Sequence, residues 1–257
     1  MATLTASERA AEDCFLERGI RYETIPRTHQ KTPDYRLFLD SETVIAEVKE
    51  FGPSGKRLEG GFYPVPFVQE KIKQCWPQLD AYRDHSCCVI LYNQGSMKVF
   101  LEPQLILCAV FGDLFEPIDN EAYRFSGDAA TGPERNTGVS AVLGILPVRL
   151  HRNCIEAGRL EFELTEGFSR ELTDDEVHWI HQQTSESMGQ VEKAMRVVVV
   201  ENPWATKPLP EDLFCGPLDE RWAQGADGIV RLKSSGSRIA EMKALLPEYA
   251  LKMMGVW

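Results

Sequence analysis

The sequence predicts an α/β protein with a mixed central sheet flanked by helices, and three observations carry that expectation. Residues 5–95 alternate helix-like and strand-like periodicity in the order αβββαβ. Beyond residue 95, apolar runs such as NTGVSAVLGILPVRL and RVVVVENPW suit further strands of the same sheet. No Gly/Ser linker, internal repeat or low-complexity tract divides the 257 residues. One domain, 1–257, is therefore expected, with a core at 5–95 and a sheet extension and wrapping C-terminal α/β elaboration at 96–257.

The elements follow in order. ASERAAEDCFLERGIRYETI opens with a Thr5/Ser7 cap region and runs as a helix to Gly19, with Ala11, Cys14, Phe15 and Arg18 spaced for one buried face. The strand IRYETI comes next. PDYRLFL and TVIAEVKEF then read as neighbouring strands joined by a polar turn at Asp40-Ser41-Glu42. GPSGKRLEGGFYPVP is a Gly/Pro-rich loop, and FVQEKIKQCWPQLDAYRD is a helix in which Pro77 either kinks the run or makes Gln78 part of a new first turn. The apolar strand SCCVILYN closes this part.

Further on, MKVFLEPQLILCAVFG suggests strand, turn and strand or short helix, and GRLEFELT suggests another strand. LTDDEVHWIHQQTSESMGQVEKAM begins with a Thr173 cap and an acidic first turn, which predicts a helix. After the buried strand RVVVVENPW, the Pro-rich ATKPLPEDLFCGPLDERW reads as an extended segment wrapping the surface. SRIAEMKALLPEYALKMM is a closing amphipathic helix interrupted at Pro247.

The chemistry concentrates at Pro33-Asp34 and, after twelve intervening residues, Glu47-Val48-Lys49. The two strands bring these ends together. Alternation puts Val44, Ala46 and Val48 on an apolar face and projects Glu47 and Lys49 together from the other. Phosphodiester hydrolysis needs a hard cation on oxygen ligands, and a nearby Lys can orient the attacking water and steady developing charge. Asp34, Glu47 and Lys49 supply those groups. Glu241-Met242-Lys243 repeats the tripeptide but lies in a helical pattern, where residues two apart diverge around the axis. The plain alternative for residues 47–49 is a surface strand with a solvated Glu and Lys.

In element order and in the placing of Pro33-Asp34 and Glu47-x-Lys49, residues 5–95 resemble the PD-(D/E)XK nuclease superfamily, the restriction-endonuclease-like fold. Glu8-Arg9 followed by Phe15-Leu16-Glu17-Arg18-Gly19-Ile20 is similar to the first helix of archaeal Holliday-junction resolvases, where a helical Glu adds a carboxylate to the metal site. That likeness implies Glu8; a capping box, Thr5-x-x-Glu8, and Glu12 one turn along are the alternatives. Gln78-Leu79-Asp80-Ala81-Tyr82 has the Q-x-x-x-Y form of RecB-like nucleases, which implies that Gln78 and Tyr82 lie beside the metal and touch substrate or a catalytic carboxylate. Glu70 and Lys73 are alternative site-facing residues on that helix. The resemblance further implies Mg²⁺ or Mn²⁺ held by Asp34 and Glu47 and completed by the Val48 carbonyl, with Glu8 holding a second metal or an outer-shell water and Lys49 positioning or activating water.

Composition bounds the partners. The formal net charge of −11 repels phosphate at long range, but residues 1–93 carry 12 Lys+Arg against 14 Asp+Glu, a net of −2. The acid excess lies in residues 94–257, with 16 against 25. Lys56-Arg57, flanked by Phe62 and Tyr63, suits backbone contact and base stacking, or is a solvated loop. No run approaches a membrane span and MATLTASERAAED is not a signal peptide, so a cytoplasmic protein is expected. Seven Cys without CxxC spacing fit reduced, buried thiols.

Other chemistries fit less well. His178-x-x-His181 lacks the HExxH form, Gly138-Val139-Ser140-Ala141-Val142 misses the nucleophile elbow, and Gly52-Pro53-Ser54-Gly55-Lys56 misses the P-loop. Trp204, Trp222 and Trp257 fit packing anchors. The expectation is a Mg²⁺- or Mn²⁺-dependent nuclease acting on DNA. The alternatives are an inactive nuclease fold serving as a binding or assembly module, and a nuclease acting on RNA. Cutting two strands often needs two sites, so a homodimer is a further expectation that no individual residue carries.

Overall fold

A ten-stranded mixed sheet organises the chain, in the order β1-β2-β3-β4-β7-β8-β9-β10-β6-β5. The computed structural model describes residues 4–27, 31–40, 42–52, 65–94, 101–119, 121–127, 129–132, 135–166, 172–187, 189–246 and 251. The first half runs α1 (Ala6–Glu17), β1 (Arg21–Thr24), β2 (Tyr35–Leu39), β3 (Glu42–Phe51), α2 (Val65–Leu79) and β4 (Ser86–Asn93). That is the αβββαβ order read from the sequence.

α1 begins at a Thr5 cap and ends where Gly19 adopts φ +64°, a conformation that favours glycine; there Ile20 N–H donates to the Phe15 carbonyl, satisfying the helix end. Ala11, Cys14 and Phe15 are fully buried, as their spacing predicts. β2 and β3 pair antiparallel with Leu39 opposite Glu42, and β3 runs parallel to β4. Pro77 sits inside α2 without ending it, and a 3₁₀ turn, Asp80–Tyr82, follows.

The second half contributes α3 (Pro103–Phe111), β5 (Asp113–Asp119), β6 (Ala122–Ser126), β7 (Ala141–His151), α4 (Cys154–Glu166), α5 (Asp174–Ser187), β8 (Val191–Glu201), β9 (Glu220–Gln224), β10 (Val230–Ser235) and α6 (Ser237–Leu245). β7 joins β4 in parallel and β8 returns antiparallel beside it, so the predicted apolar runs do extend the sheet. QLILCAVF takes the helical alternative in α3. Thr173 precedes α5, and a reciprocal pair of bonds with Glu176 closes the cap there. Pro247 and Trp257 lie outside the described residues.

Two expectations are corrected. GRLEFELT is part of a helix, α4, because the buried positions Cys154, Ala157 and Gly158 follow helical spacing that begins upstream of the short alternating window. A Cβ at Gly158 would lie 2.7 Å from Leu246 Cδ2, so the glycine permits close approach of the chain after α6. Residues 202–219 do not simply wrap the surface: Leu209, Leu213, Phe214 and Leu218 are buried.

Each sheet face has its own core. α2 and α3 cover Ile45, Val89, Leu91 and Val142, with Trp222 buried and Trp204 partly buried among them. On the other face, α1 and residues 209–214 cover Val44, Ala46, Ile90 and Leu143. A third cluster joins α4 and α6 to Val148 and Leu150. Cys14, Cys75, Cys87, Cys88 and Cys154 are buried free thiols, whereas Cys108 is half-buried and Cys215 exposed, so burial does not extend to every thiol. No helix among the described residues is long and apolar enough to cross a membrane.

Candidate functional site

The site forms where the hairpin, α1 and α2 meet. Antiparallel pairing sets Tyr35 opposite Ala46, so Asp34, the residue before β2, falls opposite Glu47. The Asp34 N–H donates to the Ala46 carbonyl at 3.1 Å, and the Val48 N–H donates to Asp34 Oδ2 at 2.9 Å. These two bonds lock the carboxylate to the strand that carries the rest of the motif. Val44, Ala46 and Val48 pack toward α1, and Glu47 and Lys49 point to the opposite face, as alternation requires.

That opposite face is covered by α2, so the solvated-strand alternative fails. Glu47 is only 2 % exposed. Its Oε1 accepts from Lys49 Nζ, and its Oε2 is buried with no hydrogen-bond partner. Lys49 Nζ also donates to Gln78 Oε1 at 3.2 Å, which brings α2 into the site. Burial, reinforced by the charge of Asp34, pushes the Glu47 carboxyl up to about 7, against the opposing pull of Lys49. Burial pulls Lys49 the other way, but the hydrogen bond and charge of Glu47 outweigh it and hold the ammonium above its ordinary value.

These groups line an open cavity of about 430 Å³. Glu8, Asp34, Glu47, Val48, Lys49 and Gln78 all reach it, so six of the predicted residues share one space. Glu8 takes the capping-box alternative and also reaches the cavity. Its Oε2 accepts from the Thr5 N–H at 2.6 Å in the capping box, while Oε1 pairs with Arg27 at the cavity. Glu12 is elsewhere, accepting from the Tyr35 hydroxyl at 3.0 Å. Glu70 and Lys73 face solvent on α2.

Tyr82 is not among the lining residues. α2 ends at Leu79, so the helical i, i+4 relation to Gln78 is broken by the 3₁₀ turn, and Tyr82 packs against the α2–α3 core. Lys56, Arg57, Phe62 and Tyr63 lie outside the described residues. Ser140 is a structural tie: it accepts from the Cys87 N–H at 2.9 Å and donates to the Lys207 carbonyl at 2.6 Å. His178 is exposed on α5, and the His181 side chain lies outside the described residues. Glu241 and Lys243 sit on α6, paired with Arg159 and with Glu121 and Glu220 respectively, so the second tripeptide forms no such site.

Sequence reasoning missed six lining residues: Thr5 and Ser7, which it read only as the α1 cap, and Arg27, Lys31, Thr32 and Glu50. Arg27, Lys31 and Thr32 lie on the connection between β1 and β2. Glu50 projects to the α1 side of β3, where the Ser7 N–H donates to it at 3.0 Å. The alternation of Val44, Ala46 and Val48 continues to Glu50 within the predicted strand TVIAEVKEF, and that is the signal that could have found it.

Among the described residues, no three His, Cys, Asp or Glu side chains are gathered as a metal-ligand group. Asp34 and Glu47 are nonetheless suited to a hard cation, because both offer carboxylate oxygens to one cavity and Glu47 Oε2 is buried and unsatisfied. Mg²⁺ commonly takes one or two protein carboxylates, with water and substrate phosphate completing its shell. No protein-family model matches the chain, and no curated protein or solved structure matches it.

Proposed function

We propose that the protein is a Mg²⁺- or Mn²⁺-dependent nuclease of the restriction-endonuclease-like type that hydrolyses phosphodiester bonds in DNA. The observation that carries this reading is the convergence of Asp34, Glu47 and Lys49 on one cavity, with a buried Glu47 oxygen left unsatisfied. Asp34 and Glu47 would hold the cation, with the Val48 carbonyl as a further oxygen donor and Glu8 holding a second metal or an outer-shell water. When bound, such a cation polarises phosphate and lowers the pKa of water.

The chain's own groups divide the remaining work. Lys49 is held protonated by Glu47, so it acts as a donor: its ammonium can orient a nucleophilic water or steady charge on a phosphate oxygen. Gln78 fixes Lys49 through Oε1, and it is a positioning residue in this reading. The Asp34–Val48 bond keeps the first carboxylate at the end of the hairpin. A cytoplasmic location and a DNA partner belong to the same proposal.

Purified protein is expected to nick or degrade DNA with Mg²⁺ or Mn²⁺, and Asp34→Ala and Lys49→Ala are each expected to abolish this. Equal activity in the wild type and both variants would identify a contaminant and sink the assignment. Side-by-side digestion of duplex DNA, single-stranded DNA and RNA separates the substrates. The reading as an inactive binding module is favoured by one feature: Lys49 and Arg27 already pair with Glu47, Glu8 and Asp34. It predicts no cleavage and no Mn²⁺ heat that Asp34→Asn and Glu47→Gln remove.

A further inference from the structure

We propose that Arg27 is a built-in counter-ion that occupies Glu8 and Asp34 in the metal-free protein and must be displaced before a divalent cation can bind there; this rests on the metal-dependent reading above. Its Nη2 pairs with Glu8 Oε1 and lies 3.5 Å from Asp34 Oδ1. One guanidinium therefore spans a carboxylate from α1 and another from the start of β2. An arginine cannot lose its proton to relieve this occupancy, so it has to move.

The burial of the partners says which one moves. The Glu8 and Asp34 side chains are 9 % and 14 % exposed, whereas that of Arg27 is 64 % exposed. Both anions are also tied to backbone, Glu8 by the Thr5 N–H and Asp34 by the Val48 N–H. Arg27 reaches them from the link between β1 and β2, with most of its surface in water. The carboxylates are fixed and the cation is replaceable. Lys49 contrasts with it, being largely buried and bonded to both Glu47 and Gln78.

The unsatisfied Glu47 Oε2 gives an incoming cation a reason to enter that Arg27 does not meet. Arg27 covers Glu8 and Asp34, while a metal shared by Asp34 and Glu47 would also satisfy the buried orphan. Loading then trades a half-buried ion pair, exposed on its arginine side alone, for charge neutralisation deeper in the cavity. By linkage, anything that holds Arg27 on the carboxylates weakens metal binding, and metal binding releases Arg27 by the same factor.

Titration of Mn²⁺ by calorimetry into the full chain and its R27Q, R27K and K31Q variants tests this. Lys31 is exposed and lines the same cavity, so K31Q removes an equal charge without touching the bridge. R27Q is expected to bind Mn²⁺ roughly three- to tenfold more tightly than the wild type, the scale of a solvent-screened arginine with two carboxylate contacts. R27K should fall between them. K31Q should change affinity by less than about twofold, because a solvated charge is screened. Thermal melts check that each variant is folded. Equal gains in R27Q and K31Q, or unchanged or weaker binding in R27Q, would overturn the counter-ion role while leaving the metal site standing. Absence of Mn²⁺ binding in every variant would remove the metal-dependent reading and this inference together. Binding in R27Q alone would show full occlusion and support it.

Discussion

Glu47 sets the pH dependence of the site. Its carboxyl is pushed up to about 7 mainly by burial, so the folded chain keeps a proton there that the unfolded chain has lost. The stability this contributes is fully present below about pH 4.5 and is lost as pH rises through about 7. Metal binding has the opposite sign, since a carboxylate must shed its proton to ligate. Mn²⁺ affinity is therefore expected to fall about tenfold for each pH unit below about 7 and to level off above it. Calorimetry across that range measures this, and a flat profile would exclude Glu47 as the titrating ligand. Glu47→Gln should flatten the profile and weaken binding. The pairing of Glu47 with Lys49 was legible because strand alternation places residues two apart on one face. Arg27 was not legible, since it reaches Glu8 and Asp34 from a connecting segment with no periodicity to relate it to either.

α1 is positioned by residues distant in sequence. Phe15 packs 6.2 Å, centroid to centroid, from Phe214, and Arg18 Nε donates to Asp219 Oδ2 at 2.7 Å. The segment after β8 is therefore a wedge under α1, which carries Glu8. Leu213 is fully buried in this wedge, and Leu213→Ala is expected to cost about 2–5 kcal/mol from lost burial and the cavity left behind. Urea denaturation measures the loss. The folded fraction should still bind Mn²⁺ within about twofold of the wild type, because the Asp34–Val48 lock is separate from the wedge. A loss below about 1 kcal/mol would mean that the wedge adds little to α1. Its Pro-rich composition suggested a surface wrap because Leu209, Leu213, Phe214 and Leu218 follow neither helical nor strand spacing. GRLEFELT misled for a related reason: alternation over a few residues outweighed the helical spacing that starts at Cys154. Strands β5, β6 and β10 carried too little apolar alternation to be read at all.

At the scale of the molecule, the N-terminal half holds the cavity while the C-terminal half holds much of what keeps it folded. β4 lies between β3 and β7, and α1 rests on residues 209–214 as well as on the sheet. Arg18 has its buried ionic partner, Asp219, in the second half. A fragment of residues 1–95 would expose the edge of β4, uncover Phe15 and leave the Arg18 charge without Asp219; breaking a buried pair of that kind alone costs about 3–5 kcal/mol. Typical domains have only about 5–15 kcal/mol in total. The fragment is therefore expected to show no cooperative thermal transition by circular dichroism and no Mn²⁺ binding, although it contains Asp34, Glu47 and Lys49. The full chain should melt cooperatively and bind. A folded, metal-binding 1–95 fragment would instead make the second half an addition to a self-sufficient core. The charge distribution fits an inseparable arrangement with divided labour: residues 1–93, with a net of −2, line the cavity, and residues 94–257, with a net of −9, supply strands β5 to β10, all of them beyond β4 in the sheet. Under the proposed nuclease reading, phosphate would meet least long-range repulsion beside the residues that line the cavity.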